Sequence, residues 1–172
     1  MKYLVKTLFC VLVLAVMSSC EKVQNAKSLR VEIDLVIQES DSLQVFYSNN
    51  ASVAFTEKHS FWHKVQGMPK NQNIEIVFPD SILPKQFRID FGRNIKQTAI
   101  VLNKIQIDYH KETIPIKGNE IFKMFRVDET NTSVDKLNGL IKRKDTTNPN
   151  GPSLYPNGNK LYDCLNKLYT QK

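Results

Sequence analysis

The chain has 172 residues, 24% of them charged, with a formal net charge of +7. That length is enough for one domain with its own hydrophobic core, and such a domain folds without disulfides. The basic residues are scattered apart from Lys142-Arg143-Lys144, a cluster too short to argue for nucleic acid and read instead as the solvated end of a helix. A charge of this size is compatible with acidic envelope glycans or lipid headgroups and requires neither.

The chain opens with two lysines, Lys2 and Lys6. Leu8 to Met17 is then apolar throughout, and Ser18-Ser19 leads to Cys20. Charge, apolar run and small residues in this order are a secretory signal peptide. The uninterrupted run of ten residues is half of the ~20 a membrane span needs. A cysteine straight after the small residues resembles the lipobox of bacterial lipoproteins, in the relaxed form common in Bacteroidota. The resemblance implies cleavage before Cys20, a lipid on Cys20, and anchoring to the inner or outer membrane of the cell envelope. An ordinary signal peptide and a soluble secreted form is the alternative. Residues 1–19 are therefore expected to be the leader and residues 20–28 a polar tether. Cys10 would leave with the leader and Cys20 would be lipidated. Cys164 is left alone, read as a small buried side chain on a C-terminal helix rather than a reactive thiol.

At Leu29 the pattern changes. Leu29, Val31, Ile33, Leu35 and Ile37 alternate with polar residues, which predicts a strand with one buried face. Leu43, Val45 and Tyr47 repeat the pattern against Gln44, Phe46 and Ser48. So do Ile74, Ile76 and Phe78; Phe87, Ile89 and Phe91 against Arg88 and Asp90; and Ile105, Ile107 and Tyr109 after the apolar run Ala99 to Leu102. Ile114 and Ile116 flank Pro115, which predicts an edge strand or a bulge. Turn residues separate the runs at Glu39–Ser42, Pro79–Ser81, Pro84-Lys85, Gly92–Asn94 and Lys117–Asn119. Short strands without interleaved long helices predict a mainly β fold, an antiparallel, jelly-roll-like sandwich over residues 29–127. Charged wet faces mean that each sheet buries one side only.

Residues 128–172 read as a helical extension docked on the sandwich. Ser133 is expected to cap a helix carrying Val134, Leu137, Leu140 and Ile141 on one face. Residues 145–160, with three prolines and two Pro-Asn-Gly turns, are expected to be a loop. From Lys160 the spacing is helical again, with Leu161, Leu165, Leu168 and Tyr169 on one side. A helix this short needs a surface to dock on.

Chemistry-bearing motifs are sparse. His59 and His63 have the four-residue spacing of metal ligands on a helix, but Ser60-Phe61-Trp62 lies between them and the glutamate of a zinc-protease helix is missing. The third histidine is His110. There is no G-x-S-x-G elbow and no phosphate loop. Glu32 and Asp34 share a strand face, an arrangement that is usually solvated surface rather than a glycosidase pair. Neither an enzyme nor a cofactor nor a bound metal is expected. The strongest candidate for ligand binding is His59-Ser60-Phe61-Trp62-His63. An exposed ring among polar groups suits a sugar, although Phe61 or Trp62 could instead fill the core. Arg88 and Asp90 are the second candidate.

The stretches LQVFYS (43–48), FRIDFGRN (87–94) and IVLNKIQIDY (100–109) resemble the β-sandwich modules attached to bacterial membrane proteins of surface-polysaccharide synthesis. Those modules look like carbohydrate-binding jelly rolls. The resemblance spans about residues 29–117 and implies a non-catalytic, glycan-binding or accessory role in the envelope. The alternative expectation is a structural or assembly lipoprotein that binds a protein partner through its C-terminal helix. Asp41-Ser42-Leu43, Asp80-Ser81-Ile82 and Asp145-Thr146-Thr147 also resemble the O-glycosylation motif of Bacteroidota, which would place a glycan on Ser42, Ser81 or Thr146. Asp-Ser and Asp-Thr pairs serve equally well as turn formers.

Overall fold

The computed structural model describes residues 28–97 and 99–170. The expected signal peptide, the lipidation site Cys20 and the tether up to residue 27 lie outside the described residues.

Two antiparallel sheets pack face to face as a sandwich. The first is built round β1 (Arg30–Ile37), which pairs with β4 (Met68–Val77) on one side and β6 (Ile100–Tyr109) on the other. The far edge of β6 is shared. Its C-terminal part pairs with β7 (Glu112–Lys117), and its N-terminal part with β10 (Leu140–Arg143), beyond which lies β9 (Thr132–Asp135). The second sheet has the order β3 (Ser60–Val65), β2 (Asp41–Ser48), β5 (Gln86–Phe91), β11 (Ser153–Pro156) and β8 (Phe125–Val127). A short helix α1 (Glu120–Met124) precedes β8, and helix α2 (Lys160–Thr170) ends the described chain.

The alternation in sequence sets which side chains meet. Val31, Ile33, Leu35 and Ile37 from β1, Leu43 and Val45 from β2, Ile74 and Ile76 from β4, Phe87, Ile89 and Phe91 from β5, and Ile105 and Ile107 from β6 form one buried core. Phe78 lies among them with its ring against Phe61 and Phe87. Each such side chain contributes about 1.5–3 kcal/mol relative to exposure. β7 is an edge strand, as Pro115 predicts: it pairs with β6 alone and keeps the proline, which has no N–H to give, on its exposed side.

The two ends of the sandwich differ. At one end α2 closes the core with Leu161, Leu165 and Leu168, all buried. The Tyr169 hydroxyl there donates to the carbonyl of Pro84 at 2.8 Å, and its ring meets Tyr109 edge-on at 5.1 Å. The chain enters at this same end, where the Ser28 hydroxyl donates to Asp80 in the β4–β5 loop. The opposite end carries the loops that follow β1, β5 and β10.

Residues 128–156 differ from the expected helical extension, because they supply three strands to the two sheets. The helix expected from Ser133 is instead the hairpin β9–β10, with Ile141 opposite Val134. Asp135 accepts the backbone N–H groups of Leu137 and Asn138, and Gly139 has φ +68°. That turn breaks the helical spacing and leaves Leu137 90% exposed. Lys142-Arg143-Lys144 therefore ends a strand and not a helix, with Arg143 buried between two exposed lysines. The loop expected over 145–160 contains β11, which follows the first Pro-Asn-Gly turn, ends on the proline of the second, and lies between β5 and β8.

Candidate functional site

The outward face of the second sheet is where the sequence candidates meet. In β3, Phe61, His63 and Val65 turn inward or toward the edge, and Trp62 turns outward. In β5, Phe87, Ile89 and Phe91 turn inward, and Arg88 and Asp90 turn outward. Strand pairing places Gln44 opposite Trp62 on one side and opposite Asp90 on the other, with Ser153 next to Asp90. The neighbouring row sets Phe46 between Ser60 and Arg88.

These rows carry a stack of planar groups. The Arg88 guanidinium lies 4.7 Å from the centre of the Phe46 ring and 4.2 Å from that of Tyr155, and Arg126 covers Tyr155 at 4.8 Å. Arg88 also makes a bidentate pair with Asp90, with Nε 2.6 Å from Oδ1 and the terminal nitrogen on Oδ2. This fixes the carboxylate in the plane of the guanidinium. Burial pushes the Tyr155 phenol above its ordinary pKa, against the opposing pull of Arg88, so it remains a neutral group. The β2–β3 loop folds back over the stack, placing Phe55 6.5 Å from Phe46 and 6.3 Å from Tyr155. Glu57 accepts from the buried Gln44 amide at 2.6 Å, and Gln44 also donates to Ser60 Oγ.

Beyond this row four loops, those after β2, β5, β8 and β10, line a pocket of about 270 Å³. Its size suits a small polar group, just under the about 300–1,000 Å³ typical of ligand sites. Trp62 stands on its rim, 47% exposed, with the Arg93 guanidinium 5.1 Å from its ring. Two carboxylates hold the loops. Asp41 accepts three backbone N–H groups, from Ser42, Arg93 and Asn94. Asp128 takes Thr130 N–H with one oxygen and the Asn131 amide with the other. Asn148 donates to Asn131 at 2.7 Å, and buried Arg143 ties the carbonyls of Asn148 and Asn94 together. At the end of the pocket the N–H of Gly151 donates to the carbonyl of Gly92 at 2.9 Å. A Cβ on Gly151 would fall 1.9 Å from the carbonyl oxygen of Phe91, so only glycine permits this approach.

The structure thus brings Trp62, Arg88 and Asp90 to one face and separates the two histidines from them. His59 is exposed, its ring 5.5 Å from Tyr47, and His63 is half-buried, where desolvation lowers its pKa. His110 sits in an exposed turn with φ 54°. Among the described residues no group of three or more His, Cys, Asp or Glu is placed to hold a metal, and no helix is long and apolar enough to cross a membrane. Of the three Asp-Ser/Thr sequences, Ser81 and Thr146 are exposed, and Ser42 is half-buried within β2, paired with Lys64. Cys164 is half-buried on α2 rather than fully buried as expected, and that partial burial raises the pKa of its thiol.

Sequence reasoning missed Gln44, Phe46, Phe55, Arg93, Tyr155 and the pocket loops. One signal was available: Phe46 lies on the face of its strand that alternation assigns to water, and an aromatic ring there calls for a partner. Comparison with known families, with curated proteins and with solved structures finds no match for this chain.

Proposed function

We propose that the protein is a non-catalytic, glycan-binding lipoprotein of the bacterial cell envelope. The observation that carries this reading is Trp62, a half-exposed indole on the rim of a small pocket lined with polar side chains. A sugar ring offers axial C–H groups to a flat aromatic face and hydroxyls to the groups round it. Gln44, Glu57, Asp128, Asn131 and Asn150 line the pocket within the same enclosure. Binding rather than cleavage fits two of the three pocket carboxylates, Asp90 and Asp128, and the third, Glu57, accepts from the Gln44 amide. Asp90 is held through both oxygens by Arg88, and Asp128 through both by its own loop. Both are fixed acceptors and poorly placed to donate a proton.

The anchor rests on residues 1–20 and their resemblance to a lipobox. With Cys20 lipidated, the tether would meet the domain at Ser28, at the α2 end, and the pocket loops would lie at the other end, turned from the membrane. Partner docking through α2 has less in its favour, because Leu161, Leu165 and Leu168 are already buried in the sandwich.

Two measurements test the reading. On a glycan array the purified protein should bind a restricted set of structures, and an array without signal would refute the binding role. Cys20→Ala should move the protein from the membrane fraction to the soluble one, because the proposed anchor is covalent and the core lies elsewhere. Retention in membranes after a high-salt wash would refute the lipid anchor.

A further inference from the structure

The charge of the pocket is opposite in sense to the charge of the chain. The chain carries +7, and a net positive surface would favour acidic glycans. The pocket lining holds three carboxylates, Glu57, Asp90 and Asp128, against two guanidiniums, Arg88 and Arg93. Arg88 is further withdrawn. Its charge is matched by Asp90, and its two faces are covered by Phe46 and Tyr155. Arg93 lies against the indole of Trp62. The amide of Gln44 has already donated to Glu57 and Ser60, so what Gln44 has left to offer is its carbonyl oxygen. The enclosure therefore presents the acceptor oxygens of Gln44, Glu57, Asp90 and Asp128 beside one aromatic face, with the Arg93 guanidinium held against the indole at the rim.

Acceptors need donors. A sugar hydroxyl donates, whereas a uronate carboxylate, a sulfate or a phosphate only accepts and carries a charge that Glu57 and Asp128 repel. Like charges brought together in a partly enclosed site weaken binding. We propose that this pocket selects neutral, hydroxyl-rich sugars and rejects their acidic counterparts. The proposal rests on the glycan-binding reading above and adds the ligand class to it.

The test uses paired oligosaccharides that differ only in the terminal residue, a neutral hexose in one and the matching uronic acid in the other. The difference is a CH2OH group against a carboxylate at the same carbon. The neutral member should bind at least about tenfold more tightly, with an affinity that changes little between low and high salt. Glu57→Gln keeps an oxygen that accepts from the Gln44 amide and removes the charge, so it should leave the melting temperature nearly unchanged and narrow the discrimination. Equal or tighter binding of the uronic acids, with an affinity that falls as salt rises, would overturn the charge argument and leave the glycan reading standing. Failure of every glycan to bind would remove both.

Discussion

Trp62 on β3 and Asp90 on β5 stand on either side of Gln44, paired with it across the sheet, so that one cross-strand row links the exposed indole to the Arg88–Asp90 pair. Gln44 is 4% exposed and holds Glu57 and Ser60 with its amide. The row is thus rigid at its centre and open at its rim. Such a row is suited to fixing the orientation of a small ligand, because its side chains need not reorganise on binding.

The core residues give the first prediction. Ile33→Asp places an uncompensated charge at a fully buried position and should cost more than about 3 kcal/mol, enough to unfold much of the protein. Glu32→Lys, one residue away on the outward face, should cost about 0.5–1 kcal/mol, including its bond from Asn73. Urea denaturation of both variants checks this, and similar losses would contradict the one-sided burial of β1.

The strands of the first half, apart from β3 (Ser60–Val65), were legible because one side of each sheet is wet. Val31, Ile33 and Leu35, or Phe87, Ile89 and Phe91, show a period of two that a helix would scatter. The strands of the last third were not legible. β9, β10 and β11 have four residues each, too few to set a period. In 133–141 the spacing of Val134, Leu137, Leu140 and Ile141 imitates a helix across what is a hairpin turn. Tertiary pairing with β6 and β5 settles these segments, and pairing leaves no local trace. The candidate site was half legible for the same reason. Trp62, Arg88 and Asp90 stood out by residue type, but their meeting depends on the β3–β2–β5 order, and Tyr155 reaches them from a segment that reads as loop.

Helix α2 gives a second prediction. Leu165→Ala should destabilise the domain by about 2–5 kcal/mol through the cavity left at a buried site. Removing residues 159–172 should lower the melting temperature further. An unchanged melting curve would mean that the helix does not close the sandwich in solution and would return attention to a protein partner.

The glycines at the end of the pocket give a third. Gly151→Ala must push the 148–151 loop away from Phe91. A destabilisation of about 1–3 kcal/mol is expected, together with loss of glycan binding. Unaltered binding would place the ligand away from that end of the pocket.

Acid should weaken the fold through His63. Its pKa is lowered by burial, so the unfolded chain binds its proton more readily than the native one. The stabilisation is present above the unfolded value of ~6.5 and is lost as pH falls from there toward the native value. Melting temperature should drop between neutral pH and pH ~5, and His63→Gln should flatten that drop. Partial exposure keeps the effect small. A His63→Gln profile identical to that of the parent protein would assign the acid sensitivity to other groups.

The central claim, that the outward face of the second sheet binds sugar at Trp62, is tested most directly by titrating Trp62→Ala with the best neutral ligand from the array. The indole is half exposed, so its removal should leave the melting temperature within about 1–2 °C of the parent, in line with the small cost of surface changes. Affinity should fall by at least about tenfold, the loss of roughly 1.4 kcal/mol. Undiminished binding by a folded Trp62→Ala protein would contradict the account.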